Sequence, residues 1–323
     1  MTSKLEEWAL TDRRKNQAIS LRGLYETMAV QLYGQYEPTR MAYQLSRKFL
    51  RRVEAWLDCF DAEADKWSAF RSLEYLLFAG QSEFDELYRH VAENIIKPWL
   101  IDDSGADLFD PNIDNVVDDL FDKCWICPAT DSLRINAFLH VSCMRSKPLR
   151  PDWHSLRELG SADRIKEFVQ DNEVKYLIIL EDFVGTGSQL ARAVRYAATV
   201  FEGPILAVPL IICAPGHEKM QITSEKLPNV EYLPGLVLEA NCLVGKEAVD
   251  GEPKLFPQLR KAMKAGYEKI RIGLRHDLDG NELGYKGTGS LVVLYSNCPN
   301  NTPPIFHCDS RTWVPLFPRS TRY

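Results

Sequence analysis

Residues 176–189 read YLIILEDFVGTGSQ, and this stretch decides the fold class. A continuous apolar run comes first, which is typical of a parallel strand covered on both faces. Two acids, Glu181 and Asp182, follow that run, and a turn with two glycines then leads into apolar residues at helical spacing. A strand, a turn and a helix in this order predict the ligand crevice of an open α/β sheet.

The turn between this strand and this helix is suited to an anion. Gly185 and Gly187 permit positive φ angles and let a ligand approach the backbone closely. The unpaired N–H groups and the positive dipole end of the next helix favour a phosphate. Two adjacent carboxylates beside a phosphate are electrostatically costly unless they meet a polyhydroxyl or a metal. The segment is therefore predicted to bind a phosphorylated sugar.

Short β-branched runs alternate with amphipathic segments in the rest of this half of the chain. Strands are predicted at residues 124–127, 176–180, 205–213, 231–238 and 291–295, and helices at residues 132–141, 161–170, 189–201 and 257–270. This alternation favours parallel pairing and an α/β core, because parallel strands need helical crossovers. The fold class is therefore α/β, a parallel sheet flanked by helices.

Three regions are predicted along the chain. Apolar residues recur at three- and four-residue spacing near the N-terminus, so residues 10–100 are expected to be helical throughout. The all-helical region 1–100 is interpreted as a scaffold or partner surface, and the aspartate-rich residues 101–122 as a solvated acidic linker. The α/β domain is expected to occupy residues 123–323.

Composition restricts the class of protein. The chain has 323 residues, 45% hydrophobic and 26% charged, which is typical of a globular protein. A net charge of −6 argues against an extended nucleic-acid-binding surface, while a local basic groove remains an option. No apolar run reaches the ~18–20 residues needed to span a bilayer, and the first residues lack a signal-peptide pattern. We therefore expect a cytoplasmic protein without a membrane partner.

Cys124 and Cys127 form a C-x-x-C pair. They fall on a predicted strand, where residues three apart point to opposite faces and cannot easily share a metal. No second such pair and no nearby histidine pair completes a site in the sequence. We interpret both as core cysteines, with reduced thiols.

The order of residues in the central segment resembles the 5-phosphoribosyl diphosphate (PRPP) motif of phosphoribosyltransferases. In that family the acidic pair holds the 2- and 3-hydroxyls of the ribose, and backbone amides of the following loop hold its 5-phosphate. The resemblance implies that Glu181 and Asp182 are the catalytic pair that positions the ribose. It also implies a phosphate loop made of Gly185, Thr186, Gly187, Ser188 and Gln189.

This sequence departs from the PRPP motif at three positions. Phe183 is bulkier than the usual aliphatic residue, and Gln189 replaces the usual Thr or Ser. Gly185 stands where many members carry the residue nearest the reacting carbon, which puts ordinary base transfer in doubt without affecting ribose phosphate binding. A catalytically inactive sensor of PRPP or a nucleotide is therefore an alternative to an enzyme.

Four motifs together resemble a narrower group, the phosphoribosyltransferase-like effector family of bacterial conflict systems. They are CPATDSLR at 127–134, EDFVGTG at 181–187, SNCPNNTPP at 296–304 and WVPLFPR at 313–319. The resemblance implies action at the anomeric carbon of PRPP or a nucleotide, and a Mg²⁺ ion that bridges the ligand's oxygens. It places residues 128–134, with Asp131 and Arg134, at the pyrophosphate position, and the basic stretch 143–150 at the position of a flexible hood.

The same resemblance implies a role in defence against phage, together with other encoded components of the system. The helical region is then the candidate surface for such partners or for a homo-oligomer. Asn297 follows an apolar strand in a proline-rich loop. Its side chain could contact a base or sugar of the ligand, or could equally satisfy backbone groups of a turn.

A methyltransferase dependent on S-adenosylmethionine is the second alternative, because residues 180–188 also fit a strand-acid-G-x-G pattern. A nucleotide site of that type needs an acid at the end of the next strand to hold the adenosine ribose. The apolar run 205–212 ends instead in Cys213 and Ala214, which weakens this interpretation.

Overall fold

The computed structural model describes residues 4–10, 13–38, 49–143, 162–274 and 280–320. Its strands are β1 (Leu77–Ala79), β2 (Cys124–Pro128), β3 (Tyr176–Val184), β4 (Ile205–Cys213), β5 (Val230–Tyr232), β6 (Leu236–Leu238) and β7 (Val292–Leu294). The α-helices with eight or more residues are Lys15–Gln31, Phe49–Asp58, Glu63–Ser72, Gln81–Val91, Lys97–Ser104, Ile113–Asp122, Ala162–Asp171, Ser188–Val200, Ala214–Ser224 and Phe256–Gly273; Lys4–Leu10, Ile135–Val141 and Pro304–His307 are shorter, and Ala92–Ile96 is a π-helical turn.

The described chain forms two compact units. One is Ser82–Leu238, and the other combines Met1–Gln81 with Glu239–Tyr323. These bounds differ from the predicted division at residues 100 and 122, because the N-terminal and C-terminal segments share one strand pair: β1 runs parallel to β7, with Phe78 opposite Val293.

The unit Ser82–Leu238 is built on a parallel sheet. Its strand order is β2-β3-β4-β5, and β6 also pairs with β4. Every pairing in this sheet is parallel. All nine residues of β4 are buried, as are eight of the nine in β3, as expected for central strands covered on both faces. The predicted α/β class with a parallel sheet flanked by helices is confirmed.

Pro209 lies inside the central strand β4, where a proline normally removes a hydrogen bond. Its carbonyl accepts a bond from the Gly235 N–H at 2.9 Å, so its ring nitrogen faces the same edge of the strand. At that edge β5 ends and β6 begins. The missing donor therefore costs no hydrogen bond between β4 and β3.

The helix Ser188–Val200 covers one face of the sheet. It buries Leu190, Ala191, Val194 and Ala197, which pack in one apolar cluster with Trp125, Ile179 and Ala207 from the strands. Burial of each large aliphatic side chain stabilises the fold by roughly 1.5–3 kcal/mol. This packing fixes the start of the helix directly after β3.

Two expectations for the N-terminal part are corrected. Residues 10–100 are not helical throughout, because β1 interrupts them. A strand of three residues is too short to show an alternating apolar pattern in the sequence, and its partner β7 is far away along the chain. Residues 101–122 hold the end of the helix Lys97–Ser104 and the whole of Ile113–Asp122. The second helix buries Val117 and Leu120, so several of the aspartates occupy its exposed face.

In the unit formed by the two ends of the chain, aromatic side chains make up much of the core. Phe317 packs against Tyr33, Phe49 and Phe78, with ring centroids 5.5, 5.8 and 5.9 Å away. Tyr36 donates a hydrogen bond to the Pro318 carbonyl at 2.9 Å.

None of the helices in the described ranges is long and apolar enough to cross a membrane.

Candidate functional site

Glu181 and Asp182 lie within β3, one strand position apart, close to its carboxyl end. Both are buried, with 5% and 7% of their surface exposed. Successive strand residues point to opposite faces of a sheet, yet both carboxylates reach the loop that follows β2. The Ser132 Oγ lies 3.4 Å from the Glu181 Oε1 and 2.7 Å from the Asp182 Oδ1.

Hydrogen bonds from that loop hold the two carboxylates. Thr130 donates its backbone N–H to the Glu181 Oε2 at 3.0 Å and its hydroxyl to the Oε1 at 2.7 Å. The Asp182 Oδ1 also accepts the N–H of Phe183 at 2.8 Å. The hydroxyls of Thr130 and Ser132 are themselves 2.8 Å apart. Two acids and two hydroxyls therefore form one connected cluster.

The electrostatics of this cluster favour a bound proton. Burial, and then the neighbouring Asp182 carboxylate, raise the pKa of Glu181 to about 8, while the hydrogen bonds from Thr130 and Ser132 act in the opposite direction. Like charges this close resist simultaneous ionisation. Near neutral pH the pair accordingly holds close to one proton.

The sequence allows a positive φ angle at both glycines of the turn after β3, and the structure has one at Gly187. Gly187 has φ +70°, and it precedes the helix Ser188–Val200. A Cβ at Gly187 would lie 2.9 Å from the carbonyl oxygen of Gly216, and a Cβ at Gly216 would lie 2.9 Å from that of Gly185. The turn therefore rests, backbone against backbone, on the first turn of the helix Ala214–Ser224.

Lys219, which the sequence analysis did not single out, contacts the start of the helix Ser188–Val200. Its Nζ donates to the Ser188 Oγ at 2.9 Å, across 31 residues of chain. Lys219 forms no ion pair within the described ranges. The parallel pairing of β3 with β4 places the starts of the two following helices side by side. In the sequence, Lys219 could have been predicted as a site residue from its position one helical turn after Gly216, just beyond the end of a buried strand.

The remaining predicted phosphate-loop residues lie at the start of this helix. The Thr186 hydroxyl is 3.4 Å from the Ser188 Oγ, and Gln189 is exposed in the first helical turn. Asp131 and Arg134 are exposed residues of the loop that carries Thr130 and Ser132. Asp131 and Arg134 therefore lie in the same loop as Thr130 and Ser132, which bond Glu181 and Asp182.

Asn297 lies in the other unit, in a turn after β7. Its Oδ1 accepts the N–H groups of Cys298 and Ser320 at 3.0 and 3.1 Å, and its Nδ2 donates to the Ser320 carbonyl at 2.9 Å. These bonds match the second of the two predicted roles, in which the side chain satisfies backbone groups. The basic stretch 143–150 lies outside the described residues except for Cys143.

No group of three or more metal-binding side chains converges within the part of the chain that the structure describes. The oxygens of Glu181 and the Oδ1 of Asp182 already accept hydrogen bonds from loop and backbone donors. This donor set does not form a protein cage for Mg²⁺, which binds through few carboxylates together with water and phosphate oxygens. The site fits only a Mg²⁺ ion that is coordinated mainly by oxygens of a bound ligand.

Comparison with protein-family models gives a match over most of the chain. A protein-family model described as PRTase-CE matches residues 53–319. The matched range includes the parallel sheet, the loop after β2 and the turn after β3. Searches of curated proteins and of solved structures found no significant match.

Proposed function

This chain belongs to the PRTase-CE family of phosphoribosyltransferase-like conflict effectors, and on that premise we propose that it binds a ribose 5-phosphate-containing ligand, PRPP or a nucleotide. The observation that carries the proposal is the convergence of Glu181 and Asp182 on one loop, three residues before an amide-lined turn. Carboxylates accept strong hydrogen bonds from hydroxyl groups. The pair would hold the two ribose hydroxyls.

The 5-phosphate would lie at the turn. Backbone N–H groups at the start of the helix Ser188–Val200 are unpaired within the helix and favour an anion. The Ser188 hydroxyl supplies a further donor, and Lys219 adds a positive charge beside it. Together these groups match the charge of a phosphate monoester better than that of an uncharged sugar.

Chemistry at the anomeric carbon would depend mainly on positioning. Departure of diphosphate or of a base leaves an oxocarbenium-like ribose, so fixing the phosphate and the hydroxyls holds the reacting carbon in place. Arg134, in the loop after β2, is the candidate to neutralise the leaving group. A Mg²⁺ ion, when present, supplies positive charge to the diphosphate oxygens.

A sensor without turnover is the second candidate, and Gly185 favours it. This residue is a glycine at the position where many phosphoribosyltransferases carry the residue nearest the reacting carbon. Ribose phosphate binding by the acids, the turn and Lys219 does not depend on a side chain at this position. The methyltransferase alternative has no support from the family match.

The biological setting that we propose is defence against phage, in concert with partner proteins of the same system. It rests on the family's description as conflict effectors. PRPP and nucleotides are metabolites that an infecting phage also needs, so an effector that consumes or senses them would have a target in the infected cell.

Labelled PRPP with Mg²⁺ tests the proposal. Saturable binding with release of diphosphate marks an enzyme, whereas saturable binding without release marks a sensor. Asp182→Asn keeps the shape and removes the charge that accepts the hydroxyl bonds, so binding should be lost while the fold is retained. Absence of binding by the wild type to PRPP, ribose 5-phosphate and nucleotides, or wild-type affinity in Asp182→Asn, contradicts the proposal.

A further inference from the structure

The hydroxyls of Thr130 and Ser132 bridge the two carboxyl groups of the candidate site. The Glu181 Oε1 lies 2.7 Å from the Thr130 Oγ1, which lies 2.8 Å from the Ser132 Oγ, which lies 2.7 Å from the Asp182 Oδ1. All three separations fall in the range of good O–H···O hydrogen bonds. The loop therefore presents two neighbouring hydroxyls, one to each acid.

This arrangement copies the geometry of a vicinal diol. Two hydroxyls on adjacent ring carbons of a furanose also lie within hydrogen-bonding distance of each other and project in nearly the same direction. The Thr130 and Ser132 oxygens meet the same two requirements, although they come from two side chains. The protein thus offers Glu181 and Asp182 the same chemical groups that a pentose would offer.

The burial of the acids shows that these bonds close the site. Only 5% of Glu181 and 7% of Asp182 is exposed. Both Glu181 oxygens accept bonds from Thr130. A ligand's hydroxyls must therefore compete with the Thr130 and Ser132 hydroxyls for the Glu181 Oε1 and the Asp182 Oδ1.

From this we propose that the hydroxyl pair of Thr130 and Ser132 is an internal substitute for the ligand's diol, which caps the acids until the ligand displaces it. The inference rests on the proposed function. It adds that the Thr130 and Ser132 hydroxyls compete with the ligand for the acids and thereby set its affinity. Two hydroxyls leave the acids and two arrive, so the number of hydroxyl donors at the site is conserved. The ligand must therefore supply both hydroxyls to replace the bonds that are lost.

The number of protons in the cluster supports the same account. Burial and the neighbouring Asp182 carboxylate raise the pKa of Glu181 to about 8, so near neutral pH the capped pair carries close to one negative charge. A buried pair with one charge is less costly than a pair with two, so the cap stabilises the acids in the absence of ligand.

Removal of the cap tests the inference in the full chain. Thr130→Val combined with Ser132→Ala removes both hydroxyls and nearly preserves the side-chain shapes. Ribose 5-phosphate is the probe, because it carries the diol and the phosphate but no leaving group that would contact the loop. Calorimetry should show binding tightened by about tenfold or more, since hydrogen bonds to charged groups no longer have to be broken in the free protein.

The matched control is Thr199→Val with Ser224→Ala. These hydroxyls also form hydrogen bonds, to the carbonyls of Tyr196 and Gln221 in helices of the same unit, but they lie outside the cluster. Their removal should leave the affinity unchanged. Unchanged or weaker binding in the Thr130/Ser132 variant overturns the cap, because the loop hydroxyls would then support the site rather than compete for it.

A second measurement separates the cap from the proposed function. Amide hydrogen exchange at Thr130 in the free protein should be slow, because its N–H is bonded to Glu181, and it should accelerate when ribose 5-phosphate displaces the loop. Rapid exchange in the free protein overturns the cap whatever the ligand proves to be. Slow exchange together with no binding of any pentose phosphate shows a loop bonded to the acids, but it rejects the proposed function and with it the role of the hydroxyls as a substitute for the ligand. Ser132→Ala alone, with the same two readouts, decides the question if the double variant does not fold.

Discussion

Among single residues, Glu181 is one whose acidity its surroundings change strongly. It is an acid on a central strand, buried beside a second acid, and burial is the larger cause of its raised pKa. Its free energy of ionisation is therefore linked to folding. Asp182 and the loop hydroxyls share this environment, so a change at any of the four alters the other three.

The pH dependence of stability should reveal this linkage. The unfolded chain loses the Glu181 proton near its ordinary pKa of 4.5, whereas the folded chain keeps it up to about 8. Between these values the folded state binds more protons, so its contribution to stability is present at low pH and lost as pH rises through this window. Relative to Glu181→Gln, the wild type should lose more than about 1 kcal/mol of unfolding free energy between pH 5 and pH 8.

Denaturant unfolding at pH 5, 6, 7 and 8 measures this difference. The variant lacks the Glu181 carboxyl and its coupling to Asp182, so subtraction of the two profiles isolates the titration of this acidic pair. Parallel profiles would mean that the carboxyl is already ionised in the folded protein.

Lys219 offers a test of the phosphate site. Lys219→Gln removes the positive charge beside Ser188 and keeps a donor of similar length, so ribose 5-phosphate should bind about tenfold more weakly. Lys226→Gln is the control, because that side chain is exposed and lies just beyond the end of the same helix. Equal affinity of the two variants would remove Lys219 from the site.

A site residue can be predicted from the sequence when it lies close along the chain to a recognisable motif. Glu181 and Asp182 were predicted because they adjoin the glycine turn in the sequence. Thr130 and Ser132 stand inside the CPATDSLR motif without a sequence signal of their own, and no motif marks Lys219. Their placement depends on the parallel register of β2, β3 and β4, which the sequence does not state.

At the scale of secondary-structure elements, prediction succeeded where the apolar pattern was continuous. β2, β3 and β4 were all predicted, because central strands covered on both faces need unbroken apolar runs. The predicted strand 231–238 is instead two short strands, β5 and β6. The helix Ile113–Asp122 was missed because its many aspartates indicated a linker, although Val117 and Leu120 give it an apolar face.

The contact between the turn after β3 and the helix after β4 gives a prediction at this scale. Gly187→Ala would place a Cβ 2.9 Å from the Gly216 carbonyl oxygen in a residue with φ +70°. Gly105→Ala is a matched control, since Gly105 has φ +68° and nothing within 4 Å of its added Cβ. We expect Gly105→Ala to cost about 1–2 kcal/mol of stability, and Gly187→Ala roughly 1–3 kcal/mol more.

Thermal or denaturant unfolding of the two variants measures the difference. Both replacements impose the same backbone strain, so any excess at Gly187 reports the steric contact alone. Equal losses would show that the turn can move away from the second helix without cost.

At the scale of the whole molecule, the two ends of the chain contribute to one unit. The pairing of β1 with β7 and the ring contacts of Phe317 join residues from the first and last parts of the sequence. Tyr36 and Phe317 are 281 residues apart, yet they share a hydrogen bond. Local sequence patterns contain no information about such pairings, which is why the predicted domain boundaries differ from the observed units.

Phe317→Ala tests how strongly these ends depend on each other. The side chain is fully buried among aromatic rings, so its truncation should lower the free energy of unfolding by about 3–5 kcal/mol. Phe109→Ala is the control, since that ring is 91% exposed, and we expect a change within about 0.5 kcal/mol. Denaturant unfolding followed by tryptophan fluorescence measures both. A small effect of Phe317→Ala would mean that the C-terminal segment is dispensable for the unit.

The sharing of one unit between the two ends also sets an order for synthesis on the ribosome. Chains emerge N-terminus first, and domains generally fold as they appear. Residues 82–238 can complete their sheet while translation continues, but β1 has no partner strand until β7 has left the exit tunnel. The earliest-made segment is thus the last to reach its native state, and a nascent chain stalled before residue 292 would expose it to chaperones and proteases.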